Sequence, residues 1–217
     1  MRIEHGLILA LDVTDPAKAL RIARAVHGKA DAVKVGWPLV LAGGLEAVRS
    51  LASHDYVLCD FKIADIPNTN RLIVEQAVSA GASGVVCHAF AGEDSVRACV
   101  DAAGGADVFV VTEMSHPGGA AFMAGHAEDF ARIAVDAGAA GIVAPATRPE
   151  RVRVLKALLG SRFLLAPGVG AQGGSPADAI RAGADAIIVG RGIYESPDPG
   201  RAATELGLQV AEARRPR

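Results

Sequence analysis

"AGADAIIVG" (182–190) turns the end of a helix into a buried strand, and the chain carries the same phrase twice more. "AGASGVVCH" (80–88) and "AGAAGIVAP" (137–145) are variants of it, and "ADAVKVG" (30–36) matches "ADAIIVG" (184–190) almost residue for residue. In each full copy a Gly suits the left-handed residue that ends a helix, and a short turn then enters the strand. Working outward, apolar runs of strand length recur at Leu7–Asp12, Ala32–Gly36, Tyr56–Lys62, Gly84–His88, Asp107–Thr112, Gly141–Ala144, Phe163–Pro167 and Ala186–Val189. Most are apolar on both faces, as parallel strands covered on each side should be. Segments of helical period lie between them, with N-terminal signals such as Asp15-Pro16 and Ser175-Pro176. The echoes fall on every second βα unit of the eight. That spacing suits a closed barrel and is less well explained by an open doubly wound sheet. The expected fold is therefore a single α/β domain, a (β/α)8 TIM barrel over residues 1–217. The closing "EARRPR" is expected to fray as a solvated basic tail.

Bulk composition narrows the function. The 217 residues carry a net charge of only −2, which gives neither nucleic acid nor an anionic membrane a reason to bind. No apolar run reaches the roughly 18 residues of a membrane span. Met1 to Gly6 lacks the layout of a secretion signal, so the expected location is cytoplasmic. Cys59, Cys87 and Cys99 are odd in number and lack CxxC spacing, which favours buried, inert thiols. The six histidines show no HxH or HExxH spacing, so no protein-built metal site is expected.

Polar residues gather at the C-terminal ends of the strands, the face on which barrel enzymes build their sites. Asp12, Lys34, the pair Asp60 and Lys62, His88, Thr112 to Ser115, Pro167-Gly168 and Gly190-Arg191 all fall there. Asp60 and Lys62 are two apart on a strand and so share a face, with Cys59 and Phe61 turned toward the helices. Asp65 follows in the loop, within reach of the pair. These charges could form a catalytic array or a self-neutralising buried triad that only specifies packing. Two glycine-rich stretches, "PGVGAQGG" (167–174) and "GRGIYES" (190–196), follow the last two strands. Loops there, with helix N-termini and the fixed charge of Arg191, suit a phosphate-bearing substrate. A dinucleotide fingerprint is absent, because no early strand and no acidic partner accompany those glycines.

The string Asp60-x-Lys62-x-x-Asp65-Ile66-Pro67-x-Thr69 resembles the signature of the orotidine 5′-phosphate decarboxylase family in its compact microbial form. So do "LALD" (9–12), "TEMSHPG" (112–118), "PGVGAQGG" and "IIVGRGIY" (187–194), which occur in the family's order from residue 7 to about 195. The resemblance implies conversion of orotidine 5′-monophosphate to uridine 5′-monophosphate and carbon dioxide, with no metal or other cofactor. Lys62 would protonate the pyrimidine carbon, Asp60 would face the departing carboxylate, and Lys34 would tie the array to the ribose, which Asp12 also binds. Asp65, Ile66 and Thr69 would reach the site across a homodimer interface. Ser115 would bond the ring, while Pro167, Gly168, Val169, Gly170, Gln172, Gly173, Gly190 and Arg191 would hold the phosphate. His88 and His116 flank the site as structural residues, since the chemistry does not require them. Loops 115–125 and 168–174 would close over the ring. The alternative is a Mg²⁺-dependent sugar-phosphate lyase of the same barrel group, which shares the Asp-x-Lys-x-x-Asp core. A barrel that binds phosphate without catalysis is the other class left open.

Overall fold

A computed structural model describes residues 1–215; the last two residues of the expected tail, Pro216 and Arg217, lie outside them. Eight parallel strands close a barrel in sequence order: β1 (Leu7–Leu11), β2 (Ala32–Gly36), β3 (Val57–Ile63), β4 (Gly84–His88), β5 (Asp107–Val111), β6 (Gly141–Val143), β7 (Phe163–Pro167) and β8 (Ala186–Val189). Pairing of Leu7 with Ile187 on β8 completes the circle. Around it run α1 (Pro16–Val26), α2 (Trp37–Gly43), α3 (Glu46–Ala52), α4 (Pro67–Ser79), α5 (Glu93–Ala102) and α6 (Pro117–Met123). They are followed by α7 (Ala127–Asp136), α8 (Pro149–Ala157), α9 (Pro176–Arg181), α10 (Arg191–Tyr194) and α11 (Pro199–Ala213). This is the (β/α)8 TIM barrel that the repeated phrase implies. The repeat does its expected work: Gly81, Gly138 and Gly183 each take positive φ, at 95°, 82° and 113°. The Asp15 side chain caps α1 through the N–H groups of Ala17 and Lys18, and Ser175 caps α9 through Asp178.

Two apolar layers follow from strand parity. Outward residues such as Leu9, Val35, Cys59, Val85 and Ile187 pack against the helices. Inward ones, among them Ile8, Leu58, Val86, Phe109 and Leu165, fill the barrel, each fully or nearly fully buried. Burying one such side chain contributes about 1.5–3 kcal/mol. The next inward position toward the C-terminal end is polar on strand after strand. Asp12 stands above Ala10, Lys34 above Ala32, Asp60 above Leu58, His88 above Val86 and Glu113 above Val111, by the alternation of a pleated strand. The site is thus the top layer of the barrel's own packing.

The lower rim is fastened by carboxylates at strand entrances. Asp31 accepts four backbone N–H groups, from Glu4, His5, Gly6 and Leu7, at 2.7–3.1 Å. Its counterpart in the repeat, Asp185, accepts the Leu164 N–H and pairs with Lys156 at 2.7 Å. At the C-terminal end, Arg214 is not frayed. Its guanidinium donates to the carbonyls of Glu4 and Asp185, which locks the end of α11 across the floor of the barrel.

Two expectations change. Residues 117–123 are helical, because Pro117 at the first turn starts α6 where a closing loop is expected. β3 is also not a regular strand: its register against β4 shifts between Cys59 and Ile63, and Lys62 has φ +48°. Among the described residues Lys62 is the only non-glycine with positive φ, a conformation that L-residues adopt at a cost of order 1 kcal/mol or more.

Candidate active site

The strand ends surround a cavity of about 410 Å³ at the C-terminal mouth of the barrel. Asp12, Lys34, Asp60 and Lys62 line one side, while Ser115, Gln172, Gly190 and Arg191 line the other. Val86, Val111, Val143 and Ile188 contribute apolar wall between them. Such a mixture, an apolar body with polar groups at two ends, suits a small ligand that carries both apolar and charged parts.

Asp60 is the hub of the charged side. Its two carboxylate oxygens each accept from Lys62 Nζ at 2.8 Å, and Oδ2 also accepts from Lys34 Nζ at 2.8 Å. Lys34 reaches Asp12 at 3.4 Å. Burial alone would raise the Asp60 carboxyl, but the ammonium groups of Lys34 and Lys62 outweigh it and hold the group below the usual carboxylate range. Burial likewise works against a charged Lys34, yet Asp60 and Asp12 together hold its ammonium above the ordinary lysine value. Exposure separates the roles: the side chains of Lys34 and Asp60 are 9% and 10% exposed, whereas Lys62 is 38% exposed and faces the opening. A fixed ammonium of this kind can stabilise negative charge or donate a proton at the cavity mouth.

His88 sits on the same inner layer, buried, with its ring 4.7 Å from that of Phe90. Its Nδ1 has no partner among the described residues. Burial, reinforced by the charge of Lys62 and opposed by Asp60, pushes its pKa down from 6.5 to about 4. The folded state therefore favours neutral His88. Stability from this group is complete above pH 6.5 and is lost as pH falls toward 4, by about 3 kcal/mol. Urea midpoints measured between pH 7.5 and 4.5 are expected to fall more steeply for the native protein than for His88→Asn. Parallel curves for the two would show that His88 is not the titrating group.

On the opposite side, the loop after β7 folds on itself. Gly174 donates to Gly168 at 3.0 Å, Gly170 to Gly174 at 3.0 Å and Gly173 to Gly170 at 2.7 Å. Gly170 and Gly173 thus spend their amides on shaping the turn and do not line the cavity, whereas Gly168, Val169 and Gln172 do. Gly168 has φ +102°, and a Cβ there would lie 3.2 Å from both Ser115 Cβ and Thr147 Cγ2, so the two loops meet only across a glycine. Pro167 at the end of β7 and the exposed Arg191 at the start of α10 complete this side.

Asp65 is exposed and does not reach back to the pair; its carboxylate accepts from the adjacent Ile66 N–H at 2.7 Å. A loop held by Asn70, whose side chain accepts the Asp65 N–H, directs it away from its own cavity. Ile66 and Thr69 also lie outside the cavity lining. The reading of a triad closed within one chain is therefore replaced by the Asp60–Lys62–Lys34–Asp12 chain of contacts.

Sequence reading leaves Glu113 at a polar strand end without a role. The structure buries it completely, bonded to Arg148 Nε at 2.6 Å and Arg151 Nε at 3.2 Å. Arg148 also donates to the Met114 carbonyl, Arg151 to that of Ala124, and the Thr147 hydroxyl to that of Ser115. The residues on either side of α6 are thus fastened to the start of α8. Parity could have placed Glu113 on the inner face, since Phe109 and Val111 precede it there. Nothing local points to arginines that lie 35 and 38 positions away.

No group of three or more His, Cys, Asp or Glu side chains arranged to hold a metal ion occurs among the described residues. No helix there is long and apolar enough to cross a membrane.

Comparison with known proteins places this geometry. Residues 5–206 match the model of the family described as orotidine 5′-phosphate decarboxylase / HUMPS. A protein named orotidine 5′-phosphate decarboxylase from Methanococcoides burtonii is 56% identical, with 95% of this chain aligned to 97% of that one. One of the same name from Methanosarcina mazei is 55% identical over 94% of each chain. Among solved structures, orotidine 5′-monophosphate decarboxylase from Methanocaldococcus jannaschii, complexed with the inhibitor BMP, superposes with a TM-score of 0.90 at 40% identity, covering 94% of this chain and 97% of that one. The Pyrococcus horikoshii enzyme gives a TM-score of 0.88 at 41% identity, over 94% and 99% of the two chains. A barrel whose top layer gathers these charges, matched along nearly its whole length by such relatives, belongs to the orotidine 5′-phosphate decarboxylase / HUMPS family.

Proposed function

We propose that this protein is an orotidine 5′-phosphate decarboxylase, a carboxy-lyase of pyrimidine biosynthesis that works without metal or coenzyme and draws its catalytic power from the Lys62–Asp60 pair. The observation that carries this reading is an ammonium clamped at 2.8 Å by both oxygens of Asp60 at the mouth of a cavity whose far side carries Arg191. Relatives at 56% and 55% identity that are named for the decarboxylase support it over the sugar-phosphate lyase.

The phosphate of the nucleotide lies against Arg191, Gln172, Gly190 and the 167–169 backbone, with Gly170 and Gly173 holding the loop in shape. Ser115 bonds the ring, and Asp12 and Lys34 hold the ribose. The pyrimidine carboxylate then faces Asp60. Breaking the carbon–carbon bond releases carbon dioxide and leaves the electron pair on the ring carbon. The Lys62 ammonium stabilises that charge and transfers a proton to the same carbon, giving uridine 5′-monophosphate. The neutral amine regains its proton from solvent after product leaves. Because the field is fixed before substrate arrives, little of it has to reorganise in the transition state. Loss of the carboxylate as neutral carbon dioxide also removes a like charge from beside Asp60.

The protein acts as a homodimer in the cytoplasm, with residues 1–217 as one domain and Asp65, Ile66 and Thr69 serving the partner's cavity. In support, these residues lie outside their own cavity, and the apolar side chains of Ile66 and Leu72, close by in sequence, are exposed. The test is to incubate purified protein with orotidine 5′-monophosphate in excess EDTA and follow the loss of ultraviolet absorbance. Full turnover is expected. Activity that disappears with EDTA and returns with Mg²⁺ would overturn the metal-free chemistry.

A further inference from the structure

The Lys62 turn has an external support that no part of the proposed reaction uses. Register pairing between β2 and β3 ends at Gly36 and Asp60. On the other side, no residue between Cys59 and Ile63 has a register partner on β4. The peptide that carries Lys62 therefore runs past the last rung of one ladder and through the gap in the other. Trp37, the first residue of α2, occupies the place of the missing rung. Its indole Nε1–H donates to the Phe61 carbonyl at 3.0 Å, and its ring stacks on the Phe61 ring at 4.7 Å with a 25° tilt. That carbonyl belongs to the peptide bond joining Phe61 to Lys62, so the hydrogen bond fixes the plane about which Lys62 adopts its φ of +48°.

We infer that Trp37 is a positioning residue for Lys62: its N–H, acting on the Phe61 carbonyl, holds the left-handed turn that lets one ammonium meet both oxygens of Asp60. A positive φ at lysine persists only where its surroundings over-determine it. Here two contacts from one side chain do so, one polar to the backbone and one stacked on the side chain. Without the N–H, the peptide is free to relax toward extended geometry, which swings the Lys62 side chain off the cavity axis.

The inference rests on the reading of Lys62 as proton donor. Trp37 is the only tryptophan in the chain, so the N–H can be removed alone. Growth of a tryptophan auxotroph on β-(benzothiophen-3-yl)alanine replaces the indole N–H with sulfur and leaves ring size and stacking in place; Trp37→Phe is the genetic counterpart. Both are expected to lower kcat about 10-fold, as a misaimed catalytic group does, while KM and the affinity for uridine 5′-monophosphate change less than about 2-fold. Melting temperature and dimer content, measured alongside, should be those of the native protein for the sulfur analogue. An unchanged kcat in the analogue overturns the inference. So does a loss of kcat that tracks a loss of folded or dimeric protein, because Trp37 would then be supporting the scaffold alone. A crystal structure of Trp37→Phe in which Lys62 keeps positive φ and both Asp60 contacts overturns it as well. Lys62→Ala separates the two readings: if that variant is inactive while the Trp37 variants are normal, only the indole's role falls, and if it is active the proposed chemistry falls first.

Discussion

Lys62→Ala is expected to lower kcat/KM for orotidine 5′-monophosphate by about 10⁴-fold or more, with product affinity changed less than tenfold. A positioned general acid contributes about 10²–10⁴ in rate, and a fixed charge aimed at developing negative charge contributes about 10²–10³. Lys62 supplies both, so its removal should cost more than either alone. The total acceleration available to enzymes reaches about 10¹⁷, or roughly 23 kcal/mol, which leaves a large share for Asp60, Lys34 and substrate binding. The binding side should survive, since Asp60 keeps Lys34 at 2.8 Å and the phosphate side is untouched. Steady-state kinetics with a parallel titration of uridine 5′-monophosphate would decide it. A variant that keeps a tenth of native kcat/KM would remove Lys62 from the chemical step.

Arg191→Ala should lower kcat/KM by about 10³-fold on the nucleotide while changing turnover of phosphate-free orotidine by no more than about 2-fold. Two charge-assisted hydrogen bonds from one guanidinium to phosphate oxygens contribute about 1.5–3 kcal/mol each, and every 1.4 kcal/mol is tenfold. That energy is gained far from the reacting carbon and spent on ordering the loops around it. The phosphate-free substrate makes the control, because an arginine with nothing to hold cannot matter. Equal losses on both substrates would mean that Arg191 merely starts α10.

Most of the barrel can be read from the chain because its repeat is a backbone necessity. Ala-Gly-Ala before a β-branched run has one cheap local structure, and it recurs ahead of β4, β6 and β8. The top layer is legible for the same reason: a polar residue in step with inward-facing apolar ones must surface at the strand end. What escapes is set by tertiary contact. The kink at Lys62 depends on Trp37 arriving from another unit, and two residues spaced like a regular strand give no hint of it. Glu113 depends on Arg148 and Arg151 in the same way. Asp65 escapes because loop direction, which Asn70 fixes, is not a periodic property. The helix at 117–123 has a local signal, since Pro117 suits the first turn of a helix.

The double fastening of the segment around α6 bears on how the mouth of the barrel can shut. Arg148 grips it at Met114 and Arg151 grips it at Ala124, so the stretch between them is a helical panel fastened at both ends. A loop of that length would give up about 1–2 kcal/mol of backbone entropy per residue on becoming fixed, more than ten kcal/mol in all. A panel that is already helical has surrendered most of that disorder during folding. The substrate's grip can then go toward the bond being broken, with little of it diverted to taming a slack lid.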